Sequence, residues 1–151
     1  MFRSQMAHHA SFWMFHSCDH SDGMRKFHDA KLSGAPEVTV WGTGSPMREF
    51  LHVDDLADAC LFLMSRYDDE AIVNVGTGED LSIRELAELV ARITGFSGTL
   101  DFDVSKPDGT PRKLLDVSFL RSLGWQAQIP LEEGVKRTYT WFKANSNHFR
   151  E

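Results

Sequence analysis

Trp41 and Arg48 stand seven residues apart in WGTGSPMRE, with a glycine-rich turn between them. An indole face can stack on a base, and a guanidinium can grip a phosphate through two parallel hydrogen bonds, so the pair suits a nucleotide. The spacing predicts a hairpin that returns Arg48 beside Trp41; an ordinary hairpin with a packed tryptophan would carry the same residues. A second stretch, KPDGTPRK at 106–113, sets Lys106, Arg112 and Lys113 around Gly109, two prolines and one carboxylate, Asp108. Glycine and proline fix an exposed loop there, its cations suit a diphosphate, and Asp108 could accept from sugar or ribose hydroxyls. Taken alone, such a loop is more often a solvated turn.

Other patterns carry less. VNVGTGED offers a G-x-G between a strand and a helix, where a dinucleotide fingerprint belongs, but its third glycine position falls on Leu81. Glu79 and Asp80 would also set negative charge against a pyrophosphate, so a tight structural turn is the better reading. Tyr139 and Lys143 have the Y-x-x-x-K spacing by which a helix presents a phenol and the ammonium that lowers its pKa. No dinucleotide fold can be assembled around them, so core and surface positions of a terminal helix explain both. His16, Cys18 and His20 alternate without structural zinc spacing. Asp68, Asp69 and Glu70 read as a solvated loop.

Composition narrows the classes. Sixteen Lys and Arg against twenty-two Asp and Glu give a net charge of −6, the wrong sign for a broad face that tracks nucleic acid. No apolar run approaches the roughly 20 residues that span a bilayer. Two cysteines, Cys18 and Cys60, make neither a C-x-x-C pair nor a secreted framework, so a reducing, cytoplasmic setting is expected. With 42% apolar residues, the 151-residue chain can fill one ordinary core.

The elements that must position these residues follow from periodicity. Residues 1–23 show no period and read as an atypical leader. A short helix runs through RKFHDAK to Ser33-Gly34; VTVW at 38–41 and REFLHV at 48–53 read as strands. A helix opens at Asp54 and Asp55 with Leu56, Ala59, Cys60, Leu63 and Met64 as its buried stripe, and AIVNV at 71–75 reads as a short buried strand. Ser82 and Glu85 form an S-x-x-E capping box for a helix with Ile83, Leu86, Val90 and Ile93 on its apolar face and Gly95 as its stop. TLDFDV suggests another strand, and LLDVSFLRSLGW a brief strand and short helix. The last helix starts after Pro130, with Leu131, Val135, Thr138 and Phe142 on one face. Strands alternate with helices, so the class is α/β or α+β.

VTVWGTGSPMREFLHVDDLADA, VNVGTGED, SIRELAELV, KPDGTPRKLLDVS, LGW and TYTWF, in this order, closely resemble the C-terminal part of the GDP-L-fucose synthase family of extended short-chain dehydrogenase/reductases. The similarity runs from about Met24 to the end of the chain. It implies an α/β substrate-binding lobe at 24–151 without the Rossmann domain. The implied reaction is epimerisation of GDP-4-keto-6-deoxy-D-mannose at carbons 3 and 5, followed by reduction at carbon 4 with hydride from NADPH. In the family, cofactor and the reductase Ser, Tyr and Lys sit in the Rossmann half, to which nothing here corresponds. This chain alone is therefore expected to bind no NADPH and to be inactive.

Carried over position by position, the family's substrate-binding places fall on Lys26, Trp41, Arg48, Asp108 and Lys113. A family histidine upstream of RKFH would fall on Cys18, so its role is not transferred, and no catalytic residue is assigned. Alternatives are the lobe of another sugar-nucleotide epimerase or dehydratase, or a non-catalytic nucleotide-sugar-binding module. A lobe that normally rests on a Rossmann domain is also expected to self-associate through that face.

Overall fold

The computed structural model describes residues 23–145; the leader up to residue 22, with His16, Cys18 and His20, lies outside them, and Gly23 opens the first helix. The chain runs α1 (Gly23–Ser33), β1 (Glu37–Trp41), β2 (Met47–Glu49), α2 (Val53–Arg66), β3 (Asp80–Ser82), α3 (Ile83–Thr94), β4 (Thr99–Asp103), β5 (Arg112–Lys113), α4 (Ser118–Ser122) and α5 (Leu131–Asn145). The class is α/β. β1 pairs in parallel with β4, from Glu37 opposite Thr99 to Trp41 opposite Asp103. β2 is the centre of a separate small sheet, antiparallel to β3 and parallel to β5.

Two apolar clusters hold these pieces. In the first, Met24 and Phe27 of α1, Leu86 and Val90 of α3, and Val135 and Tyr139 of α5 pack around Val38 and Phe96. Phe27 and Phe96 meet edge to face, with centroids 5.8 Å apart. Each such side chain contributes roughly 1.5–3 kcal/mol on burial, so three helices are fixed behind β1. The second cluster gathers Leu51, Ala59, Leu120 and Trp125. The Trp125 indole N–H donates to Asp58 Oδ2 at 2.8 Å, tying α2 to the segment before α5.

The α3 expectation holds in detail. Glu85 N–H donates to Ser82 Oγ at 3.1 Å, Glu85 Oε2 accepts from Ser82 N–H at 2.7 Å, and Gly95 ends the helix in the left-handed conformation. Hydrogen bonds from the Ser82 hydroxyl and N–H hold the Glu85 carboxyl below its ordinary range. Asp54 and Asp55 do open α2, but Asp55 is buried and also accepts from the backbone N–H groups of Gln128 and Ile129, at 3.1 and 2.9 Å.

Several strand expectations are corrected. Of REFLHV, only Arg48 and Glu49 lie in a strand, because His52 already caps α2 by accepting from Asp54 N–H. Residues 71–75 pair with no strand among the described residues; Val73 and Val75 pack on the second cluster while Ile72 is 71% exposed. The strand expected in LLDV sits earlier, at Arg112–Lys113. In the α2 stripe Ala59 is buried, Leu56, Cys60 and Leu63 are half-buried, and Met64 is 78% exposed. Periodicity marks an apolar face without saying how much of it is covered. No helix among the described residues is long and apolar enough to cross a membrane.

Candidate functional site

β1 delivers Trp41, half-buried, to the end of the parallel pair, where the next residue, Gly42, bends away at φ +84°. On the neighbouring strand the chain turns back after Asp103: Lys106 N–H donates to Asp103 O at 3.1 Å, and Ser105 N–H and Oγ donate to the Asp103 carboxylate. Those Ser105 hydrogen bonds, aided by nearby Lys106, hold the Asp103 carboxyl below its ordinary range. The turn throws Lys106 over Trp41, with Nζ 5.1 Å from the ring centroid. Lys26, on the exposed side of α1, hydrogen-bonds the Thr39 carbonyl two residues before Trp41.

Asp108 clamps the second loop onto the first. Thr43 N–H donates to its Oδ1 at 2.6 Å and Thr43 Oγ1 to its Oδ2 at 2.7 Å. A Cβ on Gly42 would stand 2.2 Å from Asp108 Oδ1, so the approach needs a residue that has none and that tolerates positive φ. Asp108 is thus a clamp between the two loops. Arg48, on β2, donates from Nη1 to the Met47 carbonyl at 2.7 Å, and its Nη2 lies 3.9 Å from where a Gly109 side chain would begin. Lys113 is its in-register parallel neighbour.

Lys106 therefore lies over Trp41 and Asp108 ties the same loop to the turn after Trp41, while Arg48 and Lys113 are neighbours in the β2–β5 register and Lys26 touches β1. The expected hairpin does not exist. β1 and β2 belong to different sheets, because Gly42 and Gly44, both at positive φ, carry the chain out of one and into the other. Trp41 and Arg48 are linked through the 106–113 loop. Arg112 is paired with Asp80, Nε to Oδ2 at 2.6 Å and Nη2 to Oδ1 at 3.2 Å, a contact that raises its pKa.

The G-x-G turn at 76–78 is closed to a phosphate from within. Buried Glu49 accepts at Oε1 from the N–H groups of Thr77 (2.5 Å) and Gly78 (2.6 Å), and at Oε2 from Leu115 N–H (3.0 Å). A Cβ on Gly76 would lie 2.4 Å from Oε1. The donors that a dinucleotide pyrophosphate requires are taken by an internal carboxylate, so this turn does not fit that group. Sequence reasoning missed Glu49; the available signal was a carboxylate on the phase of β2 opposite Arg48.

Tyr139 is buried, its hydroxyl 3.0 Å from His28 Nδ1, and burial raises its pKa, the wrong direction for an activated phenol. Lys143 Nζ sits 4.8 Å from its ring centroid. That spacing is a packing contact. Asp68, Asp69 and Glu70 are exposed, and no group of three or more His, Cys, Asp or Glu among the described residues could hold a metal. A separate cleft of about 460 Å³ lies between Phe50, Thr77 and Leu81 on one side and Arg121 and residues 126–131 on the other; none of the five predicted site residues lines it.

The pattern of the NAD dependent epimerase/dehydratase family matches residues 19–76. The chain is 60% identical over 122 residues to GDP-L-fucose synthase 1 of Arabidopsis thaliana, covering 81% of this chain and 38% of that protein. It is 50% identical over 136 residues to GDP-L-fucose synthase of Escherichia coli (strain K12), covering 84% and 42%. The solved GDP-L-fucose synthetase of Naegleria fowleri bound to NADP superposes with a TM-score of 0.79 at 30% identity, over 85% of this chain and 41% of that one. The chain thus spans about two-fifths of the length of the curated relatives it matches. Over about four-fifths of its length this chain is thus similar, in sequence and in fold, to part of the GDP-L-fucose synthases, and residues 19–76 match the NAD dependent epimerase/dehydratase family.

Proposed function

We propose that this chain is the GDP-sugar-binding part of a GDP-L-fucose synthase, an enzyme that epimerises GDP-4-keto-6-deoxy-D-mannose at carbons 3 and 5 and reduces it at carbon 4 with NADPH. The observation that carries the reading is the Asp108 to Thr43 clamp, which seats the cationic loop on the turn that follows Trp41. A guanine stacks on the Trp41 indole. The diphosphate lies toward Arg48 and Lys113, whose side chains are strand neighbours. Lys26 closes the edge through β1. Lone pairs of Asp108 not used by Thr43 can still accept from a sugar hydroxyl.

The described residues supply grip and orientation. Among them the N–H groups of the G-x-G turn donate to Glu49 and Tyr139 lies in the core, so neither is offered here as a cofactor or proton-transfer group. The low cysteine content supports a cytoplasmic setting. Exposed Leu61, Met64 and Ile72 support self-association of the isolated chain through that apolar surface.

Calorimetric titration of GDP, UDP and dTDP into the full chain tests the assignment. GDP is preferred, and Trp41→Ala weakens it about 5- to 150-fold, the worth of one base–aromatic stack at roughly 1–3 kcal/mol. Equal affinity for all three nucleotides, or GDP binding indifferent to Trp41→Ala, overturns it.

A further inference from the structure

The Lys106 ammonium lies over the face of Trp41, and hydrogen bonds on both sides of it restrain its backbone. Lys106 N–H is bonded to Asp103 O, the Asp103 carboxylate is held by Ser105, and two residues on Asp108 is locked to Thr43 through both carboxylate oxygens. The flexible four-carbon side chain is the part most free to move. An ammonium 5.1 Å from the ring centroid occupies the layer in which a stacked base would sit. Base and ammonium therefore compete for one surface.

We infer that Lys106 is a specificity-determining residue of the nucleotide site: it holds the Trp41 face against uncharged or weakly charged aromatic ligands and yields it to a nucleoside diphosphate. A diphosphate offers the displaced ammonium a new partner; a nucleoside offers none. Phosphate charge thereby favours base stacking, although no base edge is read by Lys106. The inference rests on the proposed nucleotide site and adds a residue and a rule of discrimination to it.

The experiment compares guanosine and GDP as ligands of the full chain, with Lys106→Met and Lys106→Arg beside the unaltered protein. Lys106→Met is expected to tighten guanosine about two- to fivefold, the worth of an exposed cation–π contact, and to weaken GDP. The ratio of GDP to guanosine affinity falls accordingly. Lys106→Arg, whose guanidinium also stacks, keeps guanosine weak and GDP tight. The guanosine gain disappears in a Trp41→Ala background. Guanosine affinity that is unchanged or reduced in Lys106→Met overturns the role of Lys106 while leaving GDP binding intact. Failure of both ligands to bind the unaltered chain removes the nucleotide site, and this inference with it. Lys106 is exposed, so the variants fold; equal melting temperatures check this.

Discussion

Replacing Glu49 by glutamine keeps the side chain's shape and removes its charge at the point where three chain segments meet. Its two oxygens accept from Thr77 and Gly78 on one side and from Leu115 on the other, inside a residue only 6% exposed. An amide can serve one side through its oxygen but must turn its NH₂ toward an N–H group on the other. One buried donor then goes unmet, at about 1–3 kcal/mol, and the remaining bonds lose their charge assistance, so a total near 3 kcal/mol is expected. For a chain of this size, roughly 2–4 °C per kcal/mol puts the loss of melting temperature at about 6–12 °C. Thermal unfolding followed by circular dichroism, at one fixed concentration, measures it. Because Leu115 follows Lys113 by two residues, GDP affinity should fall as well. A Glu49→Gln protein melting within about 2 °C of the original would refute the account of this carboxylate as the knot joining β2, the 76–78 turn and the cationic loop.

Gly42→Ala should cost about 1–3 kcal/mol, since φ is +84° there and the new Cβ would land 2.2 Å from Asp108 Oδ1; it should also open the clamp, seen as faster amide exchange at Thr43. Acidification should release the α3 capping box. The Glu85 carboxyl is held below its ordinary range by Ser82, so its contribution is present above the unfolded carboxylate pKa and is lost as pH falls through the folded one. A protection factor at the Ser82 amide, corrected for intrinsic exchange, that falls in acid and stays flat with pH in Glu85→Gln checks this. Sedimentation of the isolated chain should show concentration-dependent association that Leu61→Ser with Met64→Ser reduces, given exposures of 67% and 78%.

How much of this could be read from residues alone depended on range. α3 was legible end to end because its signals are local: Ser82, Glu85 and Gly95 fix both ends within one stretch. Residues 71–75 have an apolar strand pattern, yet a strand needs a neighbour, and pattern does not say whether one lies alongside. β3 and β5 are three and two residues long, too short for any period to register. In the candidate site, the residue types at Trp41 and Arg48 suggested a nucleotide, but their placement on different sheets was not legible. Two positive-φ glycines looked like a hairpin turn and instead move the chain between sheets. Glu49 and Asp108 act on partners 28 to 66 residues away, a relation that only the folded chain makes visible.

Heteronuclear spectra of the chain during a GDP titration address the shared surface itself. A single nucleotide held as described moves the Trp41 indole N–H, the Arg48 guanidinium and the Lys113 amide along isotherms with one common dissociation constant. Shifts confined to residues around the cleft between Thr77 and Leu131, or separate constants for Trp41 and Lys113, would contradict it.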